Sequence, residues 1–371
     1  MTRPSTDHGP WHDLGYGPWS PELRVPQQRP TADESADLGL PRSLRPVVGD
    51  GVVQRPVFDP SLAEFTRALR AGDPEFADPA TGAAWYRARR TALDTVLAAV
   101  AASPWAEHLV LRGSVLLTAW YGAEAREPGD LDFIVTPADW ELDDPRTGEM
   151  LTALAVAAGE RPAAVRLHAD DAAQDEIWTY ARVPGRRLVV PWSADGLPGG
   201  SVQLDFVFTE AIPTPPVRTA VPPLAGPPLT DPADGGPGDG APAVLRTADR
   251  ELSLAWKLLW LITDGFAQGK DLYDAVLLAE STPLRYELLR RVFDGVDDDW
   301  YATRPIVHDD LAEALECVEW DEFRKDHPHL GTADEYAARL LAALAPTFGG
   351  RSEDELRALW TAPESAGTGP R

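Results

Sequence analysis

Apolar residues recur at two periods along this chain, and the changes of period mark its elements. In "PSLAEFTRALRAG", Leu62, Phe65 and Leu69 stand at helical spacing before Gly72, which predicts a helix. "AAWYRARRTALDTVLAAVAAS" predicts a longer one, with a stripe through Leu93, Val96, Leu97 and Val100. "HLVLRG" is a short strand ending at Gly113. "SVLLTAWYG" is a helix closed by Gly122, "LDFIVT" a buried strand, and "RTGEMLTALAVAAG" a helix ending at Gly159. The period then becomes two. "AVRLHA", "EIWTYARV", "RRLVVPW" and "VQLDFVF" read as strands, the middle two joined by a turn at Pro184-Gly185.

Breaks in these patterns set the expected domains. Residues 1–59 are rich in Pro, Gly and charge, and predict an extended or disordered arm, unless Trp11, Tyr16 and Trp19 dock it on the body. Residues 60–209 form the α/β core. Residues 210–246 are dense in Pro and Gly and predict a linker or surface loop. Residues 247–348 predict a helical domain, opened by "DRELSLAWKLLWLITDG" with Thr247 as N-cap and Gly265 as stop. "KDLYDAVLLAE", "PLRYELLRRVFDG", "DDLAEALECVEWDEFRK" and "ADEYAARLLAALAPTF" follow as helices, and residues 349–371 are a tail. The class is α+β, with a mixed core and a C-terminal helical part.

The 371 residues are 44% hydrophobic, enough for one large or two medium cores. There are 59 acidic against 34 basic residues, a net charge of -25, which disfavours a broad nucleic-acid surface without a local basic patch. Cys317 is the one cysteine, so a disulfide within the chain is excluded and a cysteine-based metal site is not expected. The N-terminus has no apolar signal core, and no apolar run approaches the roughly 20 residues that cross a bilayer. The expectation is a soluble cytoplasmic protein.

The chemistry concentrates in "LRGSVLLTAWYGAEAREPGDLDFIV". Residues two apart in a strand share a face at roughly 6–7 Å, so Asp130 and Asp132 project together while Leu131 and Phe133 face the core. Two like charges that close repel, and a divalent cation removes the repulsion; Mg²⁺ favours carboxylate oxygens together with substrate phosphates. Asp205, set in the apolar strand "SVQLDFVF", is a third carboxylate that needs a partner. Gly113 and Ser114 stand where a strand turns into a helix. There glycine permits close backbone approach, the helix start attracts an anion and the serine adds a hydroxyl. Together these groups suit two-metal phosphoryl or nucleotidyl transfer. Lys257 interrupts the apolar run "SLAWKLLWLI", either as a snorkelling side chain or as a cation facing phosphates. Asp271 and Asp274 open the next helix, where acids suit the dipole.

Other candidates are weaker. His108 reads as structural, "HADD" from His168 to Asp171 as a loop, His327 and His329 as turn residues, and Cys317 as part of an apolar helix face. "RARR", Arg87 to Arg90, reads as a solvated face or as the local patch that an RNA acceptor would require; Arg112 is the other nearby cation.

These motifs resemble the nucleotidyltransferases of the DNA polymerase β superfamily, and within it the AbiEii/AbiGii toxin branch. The first motif is "LRGSVLLTAWYG…GDLDFIV" and the later one "WKLLWLITDGFAQGKDLYDAVLLAE". The resemblance covers about Ala83 to Glu280. It implies a polymerase β-like core with a mixed sheet flanked by helices, plus a C-terminal helical domain. It implies that Gly113 and Ser114 bind the triphosphate with Lys257, and that Asp130, Asp132 and Asp205 hold Mg²⁺ or Mn²⁺. Asp205 would also help to deprotonate the acceptor, and Asp271 would match the acid of the later motif. Lys270 stands where the branch usually has arginine, and the serine before the metal aspartates is replaced in "EPGDLDF". The implied reaction moves an NMP from an NTP to a hydroxyl or phosphate of tRNA, a protein or a small molecule, in a protein paired with an antitoxin. A small-molecule nucleotidyltransferase and a non-catalytic nucleotide-binding descendant are the alternatives, and the three retained acids argue against the last.

Overall fold

The protein is represented by a computed structural model. The structure describes residues 9–14, 22–179, 183–226, 241–265, 267–294, 296, 304–349, 351 and 353–360. The chain divides into two compact units. The first comprises Met1–Glu210 and Val217–Thr247, the second Ala211–Pro216 and Ala248–Arg371.

The first unit is built on an eight-stranded mixed sheet. Its strands are β5 (Leu109–Arg112), β6 (Asp130–Val135), β7 (Arg166–Leu167), β8 (Ala173–Thr179), β9 (Val183–Ser193), β10 (Gly200–Val207), β11 (Val217–Val221) and β12 (Ala243–Thr247). The order is β11-β12-β5-β6-β10-β9-β7, with β8 also paired to β9. β6 runs parallel to β10 and β12 parallel to β5, whereas β5–β6 and β9–β10 are antiparallel. Alternation decides the two faces. Leu131, Phe133 and Val135 of β6 and Leu204 and Phe206 of β10 belong to one core cluster, and Phe133 stacks on Phe206 at 5.5 Å. Helix α2 (Pro79–Ala102) supplies Leu93, Val96, Leu97 and Val100 to that cluster, and α4 (Pro145–Gly159) supplies Met150, Leu151 and Leu154. Between β5 and β6 lies the short helix α3 (Ser114–Tyr121).

Four expectations for this unit fail. "PSLAEFTRALRAG" is not a helix. Asp59 caps a single 3-10 turn at Pro60–Leu62, and Leu69–Ala71 (β3) pairs with Pro56–Phe58 (β2). The backbone N–H of Asp59 donates to Ala68, and Leu62 and Ala68 pack on Ile177, so long-range contacts override the helical spacing. The arm is also structured where it is described. Helix α1 (Ala32–Leu38) carries a Thr31–Glu34 capping box, and Trp11, Leu14, Leu38, Leu40 and Leu44 share a small core. Tyr16 and Trp19 lie outside the described residues. β1 (Val52–Val53) and β4 (Glu75–Phe76) pair beside it.

Pro184-Gly185 is no turn, for both residues sit inside β9. A Cβ at Gly185 would stand 2.8 Å from the Phe206 carbonyl oxygen, so glycine is there to let strands approach. Residues 180–182, between β8 and β9, lie outside the described residues. The expected linker likewise contains β11 and β12, both part of the main sheet, while residues 227–240 lie outside the described residues.

The second unit is helical: α5 (Arg250–Thr263), α6 (Gly269–Ser281), α7 (Tyr286–Asp294), α8 (His308–Leu315), α9 (Trp320–Asp326), α10 (Ala333–Phe348) and α11 (Glu353–Trp360). Asp249, not Thr247, caps α5 by accepting from the Leu252 N–H at 2.8 Å. "DDLAEALECVEWDEFRK" forms two helices instead of one. The N–H of Glu319 donates to Ala267 at 2.9 Å, which draws the backbone out of helical geometry, and Cys317 is exposed in the break. The tail holds α11, whose Trp360 packs on Tyr286 and Phe293; residues 361–371 lie outside the described residues. No helix among the described residues is long and apolar enough to cross a membrane.

Candidate active site

Strand register assembles a row of charge on the sheet face away from the α2–α4 core. Arg112 of β5 pairs with Asp132 of β6, Asp132 with Asp205 of β10, Asp205 with Arg187 of β9, and Arg187 with Asp175 of β8. Residues in register on adjacent strands share a face, so these five side chains project together. Asp130, two residues before Asp132, joins them opposite Gln203. Asp130 and Asp132 are half-buried, and Asp205 is buried.

Gly113 ends β5 beside Asp132. Its φ of 88° is a left-handed conformation, and a Cβ there would run into the Asp132 Oδ2. Any side chain would therefore collide with the aspartate. Ser114 opens α3, with Gly113 at the N-cap and no side-chain cap. Its Oγ is buried and has no hydrogen-bond partner among the described residues. A buried hydroxyl without a partner carries a desolvation cost, which a ligand oxygen would remove. Gly113, Ser114, Asp130, Asp132 and Asp205 thus come together in the first unit.

Asp205 has close company that its sequence context did not reveal. Arg187 donates to it from Nε at 2.9 Å and Nη2 at 2.8 Å, and Gln203 donates at 3.1 Å. The same guanidinium donates to Asp59 at 2.7 Å and to the Ser61 hydroxyl at 2.9 Å. Burial pushes the Asp205 carboxyl above the usual aspartate range, and Arg187 offsets this only in part because Asp130 and Asp59 add to the rise. Burial acts the same way on Asp59, but Arg187, Arg70 and the Ser61 hydroxyl outweigh it and hold Asp59 well below that range. Two buried carboxylates share one guanidinium, and the one beside the Asp130 charge is the harder to ionise. The missed signal was Arg187, a charged residue at a core-strand position in "RRLVVPW".

The three carboxylates do not make a closed cage. Among the described residues, no group of three or more His, Cys, Asp or Glu side chains is arranged to hold a metal ion. Mg²⁺ commonly takes only one or two protein carboxylates and completes its shell with phosphate and water oxygens. Asp130 and Asp132, beside the unpartnered Ser114 hydroxyl and a backbone that only glycine can form, fit that smaller donor set.

Lys257 and Asp271 lie in the second unit, and they meet each other. The buried Lys257 ammonium donates to Asp271 Oδ1 at 2.6 Å, pairs with Asp274 Oδ2 at 2.9 Å, and lies 4.8 Å from the Trp260 ring centre. This is no snorkelling lysine, because its charged end is buried and paired.

The weaker candidates resolve into structure. His108 donates from Nδ1 to the Thr136 carbonyl oxygen, 2.9 Å away, and packs on Trp105 and Trp140. Asp171 holds Arg29 and Arg45 of the N-terminal segment. Arg89 is buried against Asp73, Arg90 pairs with Glu127, and Arg112 with Glu210, so most of the expected basic patch is neutralised within the unit.

No curated protein matches the chain. The family model described as the nucleotidyl transferase AbiEii toxin of a type IV toxin-antitoxin system matches residues 95–346. That span contains both sequence motifs and runs well beyond Glu280, where the resemblance was expected to end, into the C-terminal helices. The chain belongs to the AbiEii nucleotidyl transferase toxin family.

Proposed function

We propose that this protein is a metal-dependent nucleotidyltransferase that moves an NMP from an NTP to an acceptor. The observation that carries the proposal is the buried Ser114 hydroxyl, without a partner among the described residues, directly after the left-handed Gly113 that packs on Asp132. The Ser114 hydroxyl and the first N–H groups of α3 would bind phosphate oxygens. Asp130 and Asp132 would hold Mg²⁺ or Mn²⁺. Bound there, the ion would neutralise phosphate charge and bring the reacting oxygens into line. Asp205 would accept the proton of the acceptor hydroxyl at a carboxylate oxygen. As the acceptor oxygen bonds to the α-phosphorus, the bond from the α-phosphorus to the bridging oxygen breaks and pyrophosphate leaves with its electron pair. Lys257 and Asp271, the residues of the later motif, pair with each other inside the second unit, and their buried charge balance suits a rigid support.

The paired states of Arg89, Arg90 and Arg112 favour a small-molecule or protein acceptor over tRNA. Membership of a toxin-antitoxin family supports an antitoxin as a partner. The test is incubation with each α-labelled NTP and Mg²⁺, with total tRNA and cell extract as acceptors. Label appearing in an acceptor, lost in Asp130→Asn, supports the proposal. Absence of label with every nucleotide would overturn it.

A further inference from the structure

The most elaborate polar structure around the site is one that nucleotidyl transfer does not itself require. Arg187 is buried and spends its guanidinium on four oxygens. Two belong to Asp205, one to Asp59 and one to Ser61. Asp59 and Ser61 lie in the Asp59–Leu62 turn of the N-terminal segment, outside the span 95–346 matched by the family model. The turn is itself braced. Asp59 Oδ1 accepts from the Ser61 N–H at 3.1 Å and from its hydroxyl at 2.7 Å, and Leu62 is buried against Ile177 of β8.

The N-terminal segment is tied to the same strands at further points. Asp175, next to Arg187 in register, accepts from the N–H groups of Arg42 at 3.1 Å and Ser43 at 2.6 Å. Asp171 binds Arg29 and Arg45. A planar guanidinium held at both ends has one orientation, and Nε and Nη2 then present a fixed fork to Asp205. Without Asp59 and Ser61 the fork has only Asp205 to orient it.

We infer that Arg187 is a positioning residue of the transfer site, and that Asp59 and Ser61 aim it so that Asp205 stays beside Asp132. This rests on the reading of Asp205 as the proton acceptor in nucleotidyl transfer. The N-terminal segment is then part of the catalytic apparatus instead of a tether. A misplacement of about 1 Å in a reacting group lowers rates by on the order of a hundredfold, so loss of this aim is visible in turnover.

The test uses the full chain and avoids Arg187 itself, because its removal leaves two buried carboxylates uncompensated. Asp59→Asn keeps the shape of the turn and leaves Arg187 paired one to one with Asp205. Ser61→Ala removes one hydroxyl, and Ser61→Thr restores it. Three quantities are measured for each: melting temperature, binding of a fluorescent non-hydrolysable NTP analogue with Mn²⁺, and kcat for label transfer. The expected result is a kcat lowered roughly ten- to a hundredfold by Asp59→Asn and a few-fold by Ser61→Ala, with analogue binding nearly unchanged. Ser61→Thr recovers the rate. If Asp59→Asn fails to fold, the Ser61 pair decides. Unchanged kcat, or a rate loss that only follows a fall in melting temperature and that threonine does not rescue, overturns the inference while transfer by the wild type stands. No transfer by the wild type would overturn the underlying reading as well.

Discussion

Each unit contains a cluster in which acids outnumber bases, and the two clusters handle the imbalance differently. In the second unit, Lys257 faces Asp271 and Asp274 inside a helical core, with all three side chains buried. In the first, Arg187 faces Asp59 and Asp205, but the row continues into Asp132 and Asp130, which are half-exposed, and reaches the unpartnered Ser114 hydroxyl. A closed cluster satisfies its charge from within and contributes rigidity. A cluster near a buried hydroxyl that lacks a partner among the described residues has capacity left for a ligand there. On the proposed reading, chemistry belongs to the first unit and support to the second.

The largest expected effect tests the open cluster. Asp132→Asn should lower transfer by at least about a hundredfold, the scale of one lost electrostatic contact to a transition state. Its melting temperature should not fall, because one of several crowded negative charges is gone. A variant that keeps full activity would break the comparison on that side.

Lys257→Met probes the closed cluster. Leaving two buried carboxylates without their cation should destabilise the second unit by about 3–5 kcal/mol, read by urea unfolding. Normal stability together with lost NTP binding would instead make Lys257 a ligand group, and the two clusters would be alike.

A smaller effect concerns the edge of the open cluster. Hydrogen bonds from Arg29, opposed by slight burial, and then from Arg45 hold the half-exposed Asp171 carboxyl at about 2, below its ordinary 3.8. A depressed acid contributes stability that is present above the ordinary value and is lost as pH falls through the lowered one. Hydrogen exchange in the N-terminal segment should thus rise between pH 4 and about 2 before the sheet opens, and Asp171→Asn should remove that step.

The smallest expected effect is a null one. With Arg89 and Arg90 already paired, total tRNA should show no salt-dependent binding, and Arg87→Glu/Arg90→Glu should change nothing. Steep salt dependence in the wild type, abolished by the double substitution, would restore tRNA as acceptor.

Much of the main sheet was legible because its signals are local. A buried apolar run identified β6 and alternation β10, the Gly-Ser step identified the start of α3, and the two-residue spacing placed Asp130 and Asp132 on one face. The expected helix at Pro60–Gly72 failed because its apolar residues were spaced for a helix but are buried by partners distant in sequence. Pro184-Gly185 misled for a related reason: the dipeptide that usually turns a chain here clears space beneath Phe206.

By itself, the sequence determined the mixed α+β class, the separate helical C-terminal part and the acids at the heart of the proposed chemistry. Periodicity and short motifs are properties of neighbours, so one chain displays them without its fold. Only the tertiary structure decided what those acids face. Arg187 and Asp205 are 18 residues apart, and Asp59 and Arg187 are 128 apart. No spacing rule joins such residues; strand register and the packing of Leu62 on Ile177 do. Lys257 and Asp271, 14 residues apart on successive helices, are the intermediate case. Their motif showed in the sequence, but whether the lysine reaches water, a phosphate or two carboxylates depends on how the helices pack.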